Sequence, residues 1–287
     1  MRRIFKTSAL LAAACLVSSG LVAPVAGYAQ NTTASAAGNA QPIRCSAPGR
    51  APITVVFVHG AWADNSSWAG EVSQLQRDGC KVRAVDVHVQ DLAADATAVA
   101  NFVRTVPGPV LLVGHSYGGA VISNAVAEVS NVVGLVYVDA YEPEVGEPIS
   151  ALGGATSALA THPPADLFEQ IPGTSGIILQ QGTYLNYFAN DLPRPQALEQ
   201  WATQSVASTV ALNAPTAHAG WKTLPSWSFI STGDQIITPE SLLAMSHRAH
   251  SDITIFHGGS HVTLVSHPRA VTAVVGKALA SLLQRPA

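Results

Sequence analysis

The sequence predicts an α/β protein, a mostly parallel sheet with helices on both faces, and three observations carry that reading. Short β-branched runs alternate with helically periodic segments from residue 53 to 138, and again from 226 to 283. One run leads straight into the glycine-flanked turn Gly114-His115-Ser116-Tyr117-Gly118. Between the two alternating stretches lies an insertion, at about 141–220, rich in proline and scattered aromatics. Strands that alternate with helices pack as a parallel sheet covered on both sides.

The elements follow in order. Ile53–Val58 is the first strand, and a helix begun near Asn65 carries Trp68–Leu75. Val82–Val87 is the second strand and Leu92–Val103 the second helix. Val110–Val113 is the third strand, followed by a helix to about Val129, and Val132–Val138 is the fourth. After Asp139 come Pro143, Pro148, Pro163, Pro164, Pro172, Pro193, Pro195 and Pro215, with Phe168, Tyr184, Tyr187, Phe188 and Trp201 among them. Long insertions in compact domains are usually functional, so this one reads as a lid over the active-site face rather than a surface excursion. The alternation resumes with strand Ser226–Ser231, helix Pro239–Ala249, strand Ile253–Phe256 and a closing helix from Pro268 to Leu283.

Composition narrows the function classes. The chain has 287 residues, within reach of one large α/β unit, and 48% are hydrophobic, which excludes a disordered or fibrous protein. Only 11% are charged, against roughly 25% in ordinary soluble domains, so a coiled coil is excluded too.

Part of the apolar excess sits at the start. Arg2, Arg3 and Lys6 precede an apolar stretch from Ser8 to Val25, and Gly27 and Ala29 are spaced for cleavage before Gln30. That is the plan of a secretory signal peptide over residues 1–29. Ser18, Ser19, Gly20 and Pro24 interrupt the run and argue against a lasting membrane anchor. The protein is therefore expected to be exported, periplasmic or secreted. Without residues 1–29 the chain keeps 12 Lys plus Arg against 18 Asp plus Glu, a net charge of −6. No basic stripe remains for nucleic acid. Residues 30–50 read as a flexible leader before a domain at 51–287. Cys45 and Cys80 remain as two separate small hydrophobes or, in an oxidising compartment, a disulfide.

The turn at Ser116 is where chemistry enters. A strand that breaks into a helix over G-x-S-x-G lifts the serine hydroxyl to a helix N-terminus, where backbone N–H groups favour negative charge. A serine needs a base to take its proton. His261 follows the strand Ile253–Phe256 through Gly258-Gly259-Ser260 and precedes the last helix, and His257 is the runner-up. The base needs an acid to orient it. Asp234, directly after strand Ser226–Ser231, completes the chain order Ser, Asp, His, while Asp139 at the end of the fourth strand competes with it. Glu142, Glu144 and Glu147 read as a solvated edge of the insertion. Donors for a developing oxyanion are expected from the backbone N–H groups of Tyr117 and Ala61. Trp62 and the lid residue Tyr187 are candidate substrate contacts. No H-E-x-x-H or clustered Cys/His spacing suggests a metal.

Val58-His59-Gly60-Ala61-Trp62, Gly114-His115-Ser116-Tyr117-Gly118-Gly119, the Asp234 turn through Pro239, and Gly259-Ser260-His261 through His267-Pro268 together resemble the α/β-hydrolase superfamily. More narrowly, they are similar to the small lidded branch that includes plant-type methyl esterases and hydroxynitrile lyases. The resemblance covers roughly 52–285 and matches the insertion in position alone. It implies an α/β-hydrolase fold and a cofactor-independent hydrolase of small-molecule carboxylic esters. It also implies a Ser116–His261–Asp234 triad with the oxyanion held by Ala61 and Tyr117. Ser260 stands where relatives often carry aspartate. A serine at the turn excludes the relatives whose nucleophile is a carboxylate.

Overall fold

A computed structural model describes residues 42–285. The expected signal segment 1–29 and residues 30–41 of the expected leader lie outside the described residues. The main sheet begins with β1 (Thr54–Val58), β2 (Lys81–Val85), β3 (Val110–His115) and β4 (Val132–Val138). The insertion adds β5 (Phe168–Gln170), β6 (Gly176–Leu179) and β7 (Ala207–Ser208), and the main sheet ends with β8 (Ser226–Ser231) and β9 (Asp252–Phe256). The six main strands run parallel in the order β2-β1-β3-β4-β8-β9.

Burial explains that order. β1 and β3 are buried at every residue, as strands covered on both faces must be. β2 and β9 carry Lys81, Arg83, Asp252 and Thr254, polar residues that suit the two edges. The helices of the body are α1 (Ala69–Arg77), α2 (Leu92–Arg104) and α3 (Tyr117–Ala125). The insertion contributes the longer helix α4 (Arg194–Ala202), and α5 (Pro239–Arg248) and α6 (Pro268–Gln284) follow it, with shorter helical turns between. Starts are encoded locally: Asp91 caps α2 by accepting from the Ala94 N–H, and Thr238 with Pro239 opens α5. On β4, Gly134 abuts Leu282 of α6, whereas Tyr137 abuts Gly119 of α3. An odd spacing along a strand puts side chains on opposite faces, so α6 and α3 cover the two sides of the sheet.

The insertion leaves after β4, as expected, but it is more regular than its composition suggests. β5, β6 and β7 form a separate antiparallel sheet, with Phe168 opposite Leu179 and Ile177 opposite Ala207. Strands of two to four residues leave too short an alternation to read in sequence. Seams tie the lid to the body: Ser157 Oγ donates to the Ile236 carbonyl (2.7 Å), and the Ser208 N–H to that of Val89 (2.8 Å).

The last part of the expected leader packs onto the domain. Cys45 is bridged to Cys80, with Cα atoms 5.4 Å apart, and Arg50 donates to the Leu283 carbonyl. Gly276 of α6 leaves the space that Ile43 occupies. Closing a loop of this length contributes about 4 kcal/mol by restricting the unfolded chain. Glu142 differs from its expected place on a solvated edge. It is buried, and its carboxyl accepts from the hydroxyls of Ser228, Ser246 and Ser251. Three donors from distant segments compensate the burial, which no local pattern could show. Glu144 and Glu147 are half-buried, paired with Lys222 and Arg248. No described helix is long and apolar enough to cross a membrane.

Candidate active site

Chain order reverses between β1 and β3, whose neighbours lie on opposite sides of the sheet. In open parallel sheets the crevice at the carboxyl ends of such strands is the natural ligand site. The loop after β1 carries His59, Gly60 and Ala61, and the turn after β3 carries Ser116.

Ser116 adopts φ 52°, ψ −122°, a conformation that costs about 1–3 kcal/mol for a residue with a Cβ. The surroundings hold it there. Its carbonyl accepts from the N–H groups of Gly119 (3.0 Å) and Tyr141 (3.2 Å). A Cβ at Gly118 would lie 2.5 Å from the Val58 carbonyl, and one at Gly60 2.7 Å from the Ser116 Cβ. Both glycines are thus required by close approach of backbone to the turn.

The turn holds the Ser116 hydroxyl 2.8 Å from His261 Nε2. Gly258 and Gly259, at φ 92° and 72°, carry the chain from β9 back over the sheet so that the imidazole reaches it. On the other side of the ring, His261 Nδ1 lies 2.7 Å from Asp234 Oδ2, and Asp234 Oδ1 accepts from the N–H groups of Ile236 and Ile237. His115 donates from Nε2 to the His261 carbonyl (2.8 Å) and steadies the loop from beneath. Burial pushes the Asp234 carboxyl up and the His261 imidazole down, and the two backbone N–H groups oppose the first of these.

The sequence candidates therefore separate. Ser116, His261 and Asp234 form one hydrogen-bonded chain. The runner-up His257 is exposed at the end of β9, and Asp139 meets Ser231 instead of an imidazole. Such a chain can move a proton from a hydroxyl to an imidazole held in one tautomer, the requirement for a nucleophilic serine. Neither the Ala61 nor the Tyr117 N–H has a hydrogen-bond acceptor among the described residues. Because a carbonyl only accepts, His59 Nδ1 carries the proton in its 2.9 Å bond to the Gly60 oxygen. The planar peptide then aims the Ala61 N–H away from His59.

The lid closes over this chain. Ser116 is 5% exposed and His261 is fully buried. The Phe188 ring meets the His261 imidazole edge-on at 5.0 Å, and Trp62 meets Phe188 at 6.1 Å and stacks on Phe168 at 5.8 Å. Trp62 Nε1 also donates to the Ile177 carbonyl of β6, so the loop after β1 is fastened to the lid sheet. The Tyr187 hydroxyl is paired with His162 Nε2 (3.1 Å). The lid residue against the imidazole is its neighbour Phe188, one position round a π-helical turn over Tyr184–Phe188. No metal-holding group of three or more His, Cys, Asp or Glu occurs among the described residues.

Residues 55–274 match the profile of the alpha/beta hydrolase family. The chain belongs to that family. This α/β-hydrolase is 26% identical over 202 residues to a probable hydrolase of a Phoma species, covering 65% of this chain and 79% of that one. It is 32% identical over 111 residues to a carbendazim hydrolyzing esterase of a Nocardioides species, covering 34% of this chain and 46% of that enzyme. In structure it resembles an extracellular alpha/beta-hydrolase from a Paenibacillus species, described as homologous to tobacco salicylic acid binding protein 2. The TM-score is 0.68 at 21% identity, over 79% of this chain and 99% of that one.

Two residues of the site escape a reading of this hydrolase's sequence. Phe188 is one aromatic among several in the lid. Asp191 accepts from the hydroxyls of Ser260 and Ser266, on either side of His261, and so clamps the imidazole loop to the lid. The serine at 260, whose hydroxyl needs a partner, is the one visible hint.

Proposed function

We propose that the protein is an exported serine esterase acting on small to medium, largely hydrophobic carboxylic esters. The observation that carries this reading is the unbroken chain from Ser116 Oγ through His261 to Asp234, with contacts of 2.8 and 2.7 Å. Ser116 Oγ attacks the ester carbonyl as His261 Nε2 takes its proton, and Asp234 stabilises the imidazolium. The N–H groups of Ala61 and Tyr117 receive the negative oxygen of the tetrahedral intermediate. The imidazolium then protonates the departing alcohol, leaving Ser116 acylated. Water, deprotonated by the same His261, releases the acid and restores the serine. The esterase among the curated relatives supports this chemistry.

The aromatic underside of the lid supports the substrate class. Phe188, Tyr184 and Trp62 are at most 4% exposed, so an acyl or alcohol group that enters must take their place against apolar surface. The expected export rests on the N-terminal sequence and is supported by the Cys45–Cys80 bridge, since such bonds persist in oxidising compartments. A series of p-nitrophenyl esters tests the substrate reading. The expected result is kcat/KM rising from acetate towards medium-chain acyl groups, at about threefold to fourfold per buried methylene, and then falling as the lid space fills. No turnover of any ester in the series would contradict it.

A further inference from the structure

The end of β4 carries a second buried carboxyl, Asp139, that the proposed reaction does not use. It is fully buried, at φ 43°, beside the end of β8. Its Oδ1 accepts from the Ser231 N–H (2.6 Å), and its Oδ2 lies 2.8 Å from Ser231 Oγ. Ser231 Oγ lies 2.8 Å from Thr263 Oγ1, which lies 2.6 Å from the Ser260 carbonyl oxygen. The four groups thus form a line from the sheet to the peptide just before His261.

The protons in that line can be counted. A carbonyl oxygen only accepts, so Thr263 spends its one hydroxyl proton on Ser260. Towards Ser231, Thr263 is then an acceptor, and Ser231 spends its own hydroxyl proton there. Nothing is left between Ser231 Oγ and Asp139 Oδ2 unless the carboxyl supplies it. An ionised Asp139 would leave two oxygens facing each other, buried, without a proton between them.

We propose that Asp139 is held as the neutral acid and is a positioning residue, heading a hydrogen-bond relay through Ser231 and Thr263 that fixes the Ser260–His261 peptide. The relay presupposes His261 as the base of the proposed esterase, while the protonation of Asp139 stands apart from that reading. Competition between the two buried carboxyls points the same way. Asp234 has three N–H partners, from Ile236, Ile237 and the imidazole, whereas Asp139 has one, from Ser231. The charge belongs on the carboxyl with more donors and the proton on the other. Burial and the neighbouring carboxyls of Asp234 and Asp191 push Asp139 well above the ordinary range, and no cation among the described residues reverses this.

Asparagine reproduces the neutral acid here: its oxygen accepts from the Ser231 N–H and its amide donates to Ser231 Oγ. Asp139→Ala is therefore expected to lower kcat about 10- to 100-fold through a loosened imidazole, with KM little changed. Asp139→Asn is expected to restore most of that loss and to keep the wild-type pH profile. Equal losses in both variants, or no loss in either, would overturn the proposal. An infrared difference spectrum of folded wild type minus Asp139→Asn at neutral pH reads the proton without any turnover. A protonated carboxylic acid band present only in the wild type is the expected result, and an ionised carboxylate band in its place would overturn the proposal. Ser116→Ala in the same activity assay separates failure of the relay from failure of the esterase reading.

Discussion

Ser116→Ala is expected to lower kcat on ester substrates by about 10⁵- to 10⁶-fold, with KM and folding little affected. The size follows from how the chain works. Without the hydroxyl, His261 has no proton to take, and removing the serine or the histidine of such a unit costs about as much as removing all three members. A residue of catalysis, about 10³ over water, remains with the oxyanion donors and the bound geometry. Alanine also fits the turn, because the strained backbone at 116 is held by bonds from Gly119 and Tyr141 to its carbonyl, and these do not involve the side chain. A purified variant should therefore keep its unfolding midpoint while losing turnover. Steady-state kinetics beside a thermal melt check both halves, and turnover within tenfold of wild type would end the account.

Asp234→Asn is the second large effect, about 10⁴-fold in kcat. The substitution keeps an oxygen for the Ile236 and Ile237 N–H groups, so the turn after β8 has its local bonds. It turns an NH₂ group towards His261 Nδ1, however. The imidazole must then accept at Nδ1 and carry its proton on Nε2, facing Ser116 Oγ 2.8 Å away. A ring protonated there cannot take the serine's proton. The loss arises from the wrong tautomer while the geometry survives, so the variant should still bind substrate with near-normal KM. Single-turnover kinetics separate binding from acylation, and a loss confined to KM would contradict the assignment of Asp234. The same exchange at Asp139 is expected to have a far smaller effect, because the carboxyl there donates.

The body of the fold is legible because each of its elements is encoded locally. The β-branched runs at 54–58, 110–113 and 132–138 are buried on both faces and show no alternation to misread. The turn at Ser116 is legible because close approach leaves room only for glycine at 114 and 118. His261 is reachable by reasoning since a glycine pair must carry it back from an edge strand. The acid is harder. Asp139 and Asp234 both end strands on the same side of the sheet, and only the hydrogen bonds at each carboxyl tell them apart. Glu142, Phe188 and Asp191 were not legible, for one physical reason. Their partners come from segments up to 109 residues away, in Ser251 for Glu142. The lid sheet is hidden differently, by strands too short to show their period.

Covalent capture reads out whether His261 activates Ser116 as a nucleophile. Folded protein is treated with a fluorophosphonate, digested, and the peptide spanning residue 116 is weighed by mass spectrometry. The expected result is a single phosphonyl adduct on Ser116, absent in Ser116→Ala and strongly slowed in His261→Ala. Ester turnover by a protein whose Ser116 peptide stays unmodified would contradict it.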